Sequence, residues 1–428
     1  MKDEEIQDAD RRHIWHPYAQ ERLLHERRPP LVVRRAEGPW LYDDAGKGYL
    51  DGSASWWVNL FGHRHPRLLA ALQTQLGALP HTALAGLTHE AAARAARALI
   101  EVAPTGLDRV FFSDNGSTAV EVALRMAFEY HRNLGRPERT LFLTLEGAFH
   151  GETLGAASLS DQPAFHGRLG PLLFQTRHLP SPALQGTEAA WEAAAAILRE
   201  EAPRCCAVIV EPLIQGAGGM LIYEPEYLRR LRQLTRELGV LLIADEVFTG
   251  LGRTGTFWAV EQAGIAPDLL CASKGLGGGL LPFAATLASG AIYAAFYGEK
   301  EKAFHYGHSF TANPLGCAVA AEAIALARAA LPSLPARIRH FRDGLDRFRE
   351  LPRVKSVRSL GLIGAVELDG GGYFADSGWE VYDRALARGL YARPLGHVLY
   401  LLPMLNLEDE LITEMVSRLY LSARETLA

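Results

Sequence analysis

The middle of the sequence alternates short apolar runs with helical patterns. The runs RVFFSD, TLFLTL, CAVIVEP and VLLIADEV have the length and composition of buried strands. Helical segments such as STAVEVALRMAFEYHR and TEAAWEAAAAILREE lie between them. This order predicts an α/β fold with a mostly parallel central sheet, helices on both faces and right-handed crossovers.

The length of 428 residues allows more than one domain. A helix predicted over about 313–330 is followed by the break LPSLP, after which helices and short strands fill the chain. We therefore expect a large domain over 61–330 and a smaller α+β domain over 331–428. The N-terminal segment 1–60 is expected to pack with the small domain.

Charge and cysteine usage narrow the class of partner. The net charge is −5, and basic and acidic residues are interleaved, which favours a small-molecule partner over nucleic acid or an anionic membrane. The four cysteines lie in apolar stretches without the spacing of a disulfide framework. The N-terminus MKDEEIQDAD is acidic where a signal peptide is basic and then apolar, so a cytoplasmic protein is expected.

A single charged residue, Lys274, lies in the glycine-rich apolar run that begins at Cys271. Glycines, a proline and serines divide the run, so LPFAATLAS is expected to be a buried strand followed by a short helix, not a membrane span. Lys274 is then either a helix-end charge that reaches water or an amine whose pKa is lowered by burial. The second kind of lysine is a nucleophile.

The strand VLLIA leads into Asp245 and Glu246, at the strand end where open α/β sheets bind ligands. One acidic residue alone could be a helix cap or a surface salt bridge. Together with Lys274 it suits an aldehyde cofactor with a pyridine ring, because the lysine can form a Schiff base and the carboxylate can keep the ring nitrogen protonated. The predicted cofactor is pyridoxal 5'-phosphate.

Two further motifs could complete a site for that cofactor. Gly116 and Ser117 open a helix, where an anion such as the phosphate can bind the free N–H groups, although an ordinary N-cap by Asp114 or Ser117 is the alternative. Phe149 and His150 follow the strand TLFLTL between glycines. Phe149 could lie on the face of the ring or could simply pack in the core.

The motif GLGRTG at Gly250–Gly255 matches the dinucleotide-binding pattern and is followed by Asp268. Against a dinucleotide site, the acidic residues precede the glycines and the next helix, TFWAVEQAG, is short. Metal binding is poorly supported as well, because His63 and His65, or His305 and His308, lack the ligands that would complete a zinc site.

With Lys274, Asp245, Gly116, Ser117 and Phe149 in this arrangement, the chain resembles the class III, ornithine-type aminotransferases over nearly its whole length. The resemblance implies the type I pyridoxal-phosphate fold and a homodimer with shared active sites. It makes Lys274 the Schiff-base lysine and proton shuttle, Asp245 the partner of the pyridine nitrogen, and Gly116 and Ser117 phosphate binders. Phe149, expected to stack on the ring, replaces the tyrosine usual in these relatives.

Within that class, HIWHPY, DGSASWW, GHSFTANPLGC and RPLG are similar to the branch that aminates 8-amino-7-oxononanoate in biotin synthesis. The resemblance makes Arg393 a fork for a substrate carboxylate, although LLPML after it lacks the second proline expected in that branch. It places Gly307 and Ser309 at the cofactor phosphate and substrate of the neighbouring subunit. An aromatic substrate wall is expected from Tyr18, Trp56 and Trp57.

The implied reaction is a ping-pong amino transfer with S-adenosylmethionine as donor. L-lysine as donor, or another ω-aminotransferase that acts on ornithine, 4-aminobutyrate or a diamine, are alternatives. A non-enzymatic pyridoxal-phosphate-binding regulator is a further alternative, but it should carry a DNA-binding domain for which the short acidic N-terminus has no room.

Overall fold

The computed structural model describes residues Met1–Ala428. Its strands are β1 (Arg35–Glu37), β2 (Trp40–Tyr42), β3 (Gly48–Asp51), β4 (Leu107–Ser113), β5 (Leu141–Leu145), β6 (Thr176–Leu179), β7 (Cys205–Val210), β8 (Ile214–Gln215), β9 (Leu221–Ile222), β10 (Leu241–Asp245), β11 (Leu269–Ala272), β12 (Ala284–Ser289), β13 (Val354–Leu360), β14 (Ile363–Leu368), β15 (Leu390–Tyr391) and β16 (Val398–Leu401).

The helices are α1 (Asp3–His13), α2 (Glu21–Glu26), α3 (Ala54–Trp57), α4 (Pro66–Ala78), α5 (Glu90–Val102), α6 (Gly116–Asn133), α7 (Leu154–Ser158), α8 (Pro163–His166), α9 (Pro182–Gln185), α10 (Thr187–Glu201), α11 (Pro225–Glu237), α12 (Gly290–Ala295), α13 (Pro314–Ala330), α14 (Leu334–Leu345), α15 (Ser377–Ala387) and α16 (Asp409–Leu427). Short 3₁₀ turns occur at Gly167–Leu172, Ala259–Ala263, Lys274–Gly277, Lys300–Lys302, Leu331–Ser333 and Asp346–Glu350.

The central sheet has seven strands in the order β4-β12-β11-β10-β7-β5-β6. Only β12 runs antiparallel to its neighbours, so the prediction of a mostly parallel sheet is confirmed. The four predicted strand runs are β4, β5, β7 and β10. Strands β7, β10 and β11 are buried along their whole length because helices cover both faces, which explains their continuous apolar sequences.

The apolar run after Lys274 forms β12 and then α12, as the sequence predicts. The helical stretch from Pro314 to Glu350 is apolar and long enough to span a membrane by composition alone. Its first helix, α13, instead packs against α4 and α5. The side chain of Asn313 caps this helix by accepting from the N–H groups of Leu315 and Gly316.

The two ends of the chain meet in a small four-stranded sheet. Strand β3 pairs in parallel with β15, with Leu50 opposite Leu390 and Asp51 opposite Tyr391. A separate antiparallel sheet, β13-β14-β16, lies with α14 and α16 in the C-terminal part. The pairing of β3 with β15 brings residues from the N-terminal segment next to residues near Arg393.

Candidate active site

A cavity of about 580 Å³ opens at the carboxyl ends of the central strands. All the predicted site residues except Gly307 and Ser309 line it. Those in the cavity wall are Tyr18, Trp56, Trp57, Gly116, Ser117, Phe149, His150, Asp245, Lys274 and Arg393. One chain therefore brings together residues from the N-terminal segment, four regions of the central sheet and the C-terminal part.

Asp245 is the last residue of β10 and its carboxylate is held in one orientation. His150 Nδ1 lies 2.7 Å from Asp245 Oδ2, and the Val247 N–H donates to Oδ1 at 3.1 Å. The other ring nitrogen of His150 lies 3.2 Å from Thr144 Oγ1, so the imidazole is itself fixed. Both side chains are buried, and a carboxylate held in this way is suited to pair with a protonated ring nitrogen.

Lys274 follows β11 and has a left-handed φ of 45°. Burial lowers the pKa of Lys274, although the negative charges of Asp245 and Glu211 oppose this shift. Its Nζ lies 5.0 Å from the centre of the Trp57 ring and 5.6 Å from that of Phe248. A lysine with a lowered pKa is more often the neutral amine and hence a nucleophile.

Glu211 is a site residue that the sequence reasoning missed. It follows β7, and its carboxyl group accepts the N–H of Phe149 at 3.0 Å and that of Gly216 at 2.9 Å. Burial raises the pKa of Glu211 to about 7, with Asp245 adding to the shift and His150 opposing it. The run CAVIVEP could have indicated this residue, because Glu211 comes at the end of a buried strand just as Asp245 does.

The start of α6 has the features of a phosphate site. Its N-cap is Asn115, whose side chain accepts the Thr118 N–H at 3.0 Å, so neither Asp114 nor Ser117 caps the helix. Helix geometry leaves the N–H groups of Gly116 and Ser117 without intrahelical acceptors. A Cβ atom at Gly116 would lie 2.7 Å from a methyl group of Val247, so only glycine fits against the loop after β10.

In the C-terminal part of the cavity wall, the guanidinium of Arg393 lies near two aromatic rings. Its guanidinium carbon lies 5.1 Å from the ring centre of Trp56 and 5.3 Å from that of Trp379. One Nη donates to the Tyr18 carbonyl at 3.2 Å, and no carboxylate of the chain pairs with it. The guanidinium is thus oriented and left free for an external anion.

The aromatic residues of the site differ in exposure. Trp56 is 41% exposed, whereas Trp57 is 6% exposed and donates from its indole N–H to the Tyr400 hydroxyl at 3.0 Å. Tyr18 donates to the Glu152 carboxylate. The ring of Phe149 lies nearly parallel to that of His166, with 13° between the planes and 5.9 Å between the centres.

The alternative dinucleotide site is not formed. Residues 250–255 lie in turns, and no α-helix follows them, since only the 3₁₀ turn Ala259–Ala263 comes next. Asp268 instead forms a bidentate ion pair with Arg232, at 2.6 and 3.0 Å. Arg253, within the motif, is buried and donates to the carbonyls of Leu362 and Pro403, so it connects the central domain to the C-terminal part.

Comparisons with known proteins agree with this site. Residues 24–421 match the family Aminotransferase class-III. The chain is 41% identical to the adenosylmethionine-8-amino-7-oxononanoate aminotransferase of Geobacter sulfurreducens, over 97% of this chain and 96% of that protein. The chain belongs to the class III aminotransferases, and it is a pyridoxal-phosphate-dependent enzyme.

Solved structures resemble the chain over nearly its full length. The adenosylmethionine-8-amino-7-oxononanoate aminotransferase of Methanocaldococcus jannaschii superposes with a TM-score of 0.95 at 32% identity, covering 99% of each chain. The ω-transaminase of Pseudomonas jessenii, solved in complex with PMP, has a TM-score of 0.91 at 27% identity and covers 98% of each chain. The type I pyridoxal-phosphate fold is therefore confirmed.

The side chains of the cavity fit pyridoxal 5'-phosphate. The buried carboxylate of Asp245 suits the ring nitrogen, the amine of Lys274 suits the aldehyde, and the free N–H groups of α6 suit the phosphate. All three groups line the same cavity, which is large enough for the cofactor and a substrate.

Proposed function

We propose that the protein transfers an amino group to 8-amino-7-oxononanoate, giving 7,8-diaminononanoate in biotin biosynthesis, with S-adenosylmethionine as the donor. The observation that carries this proposal is the full-length similarity to aminotransferases named for that donor and acceptor. The free guanidinium of Arg393 in the cavity supports it, because the acceptor has a carboxylate.

When bound, pyridoxal phosphate supplies the electron-accepting ring that stabilises a carbanion. In our proposal Lys274 holds the cofactor covalently, Asp245 pairs with its ring nitrogen, and His150 orients Asp245. Gly116 and Ser117 hold the phosphate, and Phe149 lies on the ring face. The hydrogen bond between His150 and Asp245 and the free helix N–H groups support these roles.

Lys274 is also proposed to accept the proton that leaves the substrate carbon and to give it up again later in the reaction. Its lowered pKa favours the neutral amine that can accept this proton. Glu211 is proposed to hold the backbone that carries Phe149 and His150, since its carboxyl group accepts the Phe149 N–H.

Arg393 is proposed to bind the substrate carboxylate, with Tyr18, Trp56 and Trp57 forming the aromatic wall beside it. Lysine could not replace this arginine, because the planar guanidinium both stacks on Trp56 and Trp379 and offers paired donors to a carboxylate. In the proposed domain division the segment 1–60 packs with 331–428, and the pairing of β3 with β15 supports this because it brings the wall and the arginine close together.

We further propose a cytoplasmic homodimer in which Gly307 and Ser309 reach the cofactor phosphate and substrate of the neighbouring subunit. Their position outside their own chain's cavity supports this. The exposed rings of Tyr297 and Phe310 in the same region also favour a covered surface. Neither nucleic acid nor a membrane is proposed as a partner, given the interleaved charges.

The proposal is tested with purified protein loaded with pyridoxal phosphate. S-adenosylmethionine should convert the visible absorbance of the lysine-bound cofactor to that of the amino form, and 8-amino-7-oxononanoate should restore it with formation of the diamine. Conversion by L-lysine alone would change the donor and keep the acceptor. Turnover of ornithine, 4-aminobutyrate or a diamine without the oxononanoate would indicate another ω-aminotransferase, and no turnover with any amine would indicate a regulator.

A further inference from the structure

The two tryptophans of the substrate wall lie in the short element α3, which is a single turn with an unusual, positive-φ backbone. Ala54, Ser55, Trp56 and Trp57 have φ values of 47°, 44°, 64° and 76°. Four consecutive residues with side chains therefore form a left-handed turn, which is unfavourable for each of them because Cβ crowds the following carbonyl. Strain of this kind persists only where surrounding contacts hold it, and it concentrates at functional sites.

Asp51 provides contacts that hold this turn. It is fully buried, and its Oδ1 accepts the Ser55 N–H at 3.0 Å while its Oδ2 accepts the Ser55 hydroxyl at 2.7 Å. His63 Nε2 lies 3.0 Å from the same Oδ2, so it donates the third hydrogen bond to the carboxylate. His63 is anchored in turn, because its backbone exchanges two hydrogen bonds with Gly38, at 2.7 and 3.0 Å.

The turn connects this buried carboxylate with both halves of the site. Trp56 stacks on Arg393, and Trp57 lies against Lys274. Ser53, just before the turn, accepts the Arg393 N–H on its hydroxyl at 3.0 Å. A relaxation of residues 54–57 would therefore move the ring beside the carboxylate fork and the ring beside the reactive lysine together.

We infer that Asp51, with His63, is a positioning residue that sets the substrate wall by holding the left-handed turn of residues 54–57. Neither side chain lines the cavity, so the effect passes through Ser55 and the turn. The inference rests on the proposed function only for the choice of substrate in the kinetic assay.

The direct test follows the tryptophans by ¹⁹F NMR in protein labelled with 5-fluorotryptophan. The Trp56 and Trp57 resonances are assigned from Trp56→Phe and Trp57→Phe variants. Asp51→Asn should shift or broaden both resonances, because an amide nitrogen cannot accept the hydrogen bonds that one carboxylate oxygen accepts now. The matched control is Asp43→Asn, since Asp43 also accepts a backbone N–H (Lys47, 2.9 Å) and a hydroxyl (Tyr49, 3.0 Å) but lies away from the cavity.

Steady-state kinetics distinguish an effect on the position of the substrate wall from a general loss of structure. Asp51→Asn should raise the KM for the oxo acid about tenfold, the effect of losing one hydrogen bond to a charged group, with a smaller change in kcat. Adding Ser55→Gly to Asp51→Asn should restore at least part of the wild-type tryptophan resonances and of the wild-type KM, since glycine adopts positive φ without crowding. His63→Gln keeps both hydrogen bonds that Ser55 donates to Asp51. This variant carries the test if Asp51→Asn does not fold, and it should shift the same resonances.

The inference is overturned if the Trp56 and Trp57 resonances of Asp51→Asn superpose on those of wild type, or if those of His63→Gln do so where that variant carries the test. It is also overturned if Asp43→Asn shifts both resonances by the same amount as Asp51→Asn. If wild-type protein does not use the oxononanoate, the proposed function fails, whereas the NMR comparison still decides whether Asp51 positions the wall.

Discussion

Replacement of Arg393 with alanine should weaken the use of the oxo acid far more than it affects the cofactor. The guanidinium has no carboxylate partner in the chain and is oriented by Trp56, Trp379 and the Tyr18 carbonyl. Leaving a buried substrate carboxylate unpaired costs about 2–5 kcal/mol. Arg393 is only partly buried, so the lower end applies, and a loss of about 2 kcal/mol corresponds to roughly 30-fold in kcat/KM.

Arg393→Lys keeps the charge but loses the planar guanidinium that lies near both indole rings. Each such contact contributes about 0.5–1 kcal/mol at an exposed site, so this variant should lose roughly tenfold in kcat/KM. Arg28→Ala is the control, because Arg28 lies 5.6 Å from the same Trp379 ring but pairs with Asp383 at 2.9 Å outside the cavity.

The assay compares 8-amino-7-oxononanoate with its methyl ester in single turnovers of the aminated enzyme, followed by cofactor absorbance. Wild type should prefer the acid, and the preference should be lost in Arg393→Ala and retained in Arg28→Ala. An acid-to-ester ratio in Arg393→Ala equal to that of wild type would refute the placement of the substrate carboxylate at Arg393.

Other contacts of the site give three further predictions. Lys274→Ala should lower turnover by at least about 10³-fold and should abolish borohydride-stable attachment of the cofactor, measured by mass spectrometry; attachment that survives would place the covalent bond elsewhere. Gly216→Ala should lower the free energy of unfolding in urea by about 1–3 kcal/mol, since its Cβ would lie 2.9 Å from Phe248 and 3.1 Å from Trp57. Gly77→Ala is the control and should not destabilise the protein, because open space surrounds that position. Equal stability of the two variants would contradict this prediction. Because the pKa of Glu211 is raised to about 7, its contribution to the free energy of unfolding is present at pH 4.5 and is lost as the pH rises to 7. Glu211→Gln should therefore reduce this decline by up to about 1.4 kcal/mol per pH unit. If the dependence of the urea-unfolding free energy on pH is the same in this variant as in wild type, Glu211 titrates normally.

The sequence was sufficient for the strands and for the residues that line the cavity at the carboxyl ends of the central strands. β4, β5, β7 and β10 carry continuous apolar runs, and Asp245 ends one of them. The reversed direction of β12 was not predictable, because an apolar strand buried on both faces has the same composition in either direction. Sequence patterns place side chains along an element but do not give the orientation of that element.

The part of the cavity around Arg393 was harder to predict, because its contacts join distant parts of the chain. Trp379 belongs to the amphipathic helix α15, where an aromatic residue is expected to pack in the core, yet it stacks on Arg393. The left-handed turn at residues 54–57 contradicts the local preferences of alanine, serine and tryptophan, so no propensity could indicate it. It becomes visible only once Asp51 and His63 are placed beside it.

The pairing of β3 with β15 has a consequence for biosynthesis on the ribosome. The strands of the central sheet lie between Leu107 and Ser289 and can associate while the C-terminal part is still being made. Strand β3 can pair with β2 early, but its other edge must wait for β15, which is synthesised about 340 residues later. The central sheet can therefore form first in the nascent chain, whereas the part of the cavity wall that contains Trp56 and Arg393 is completed only near the end of translation.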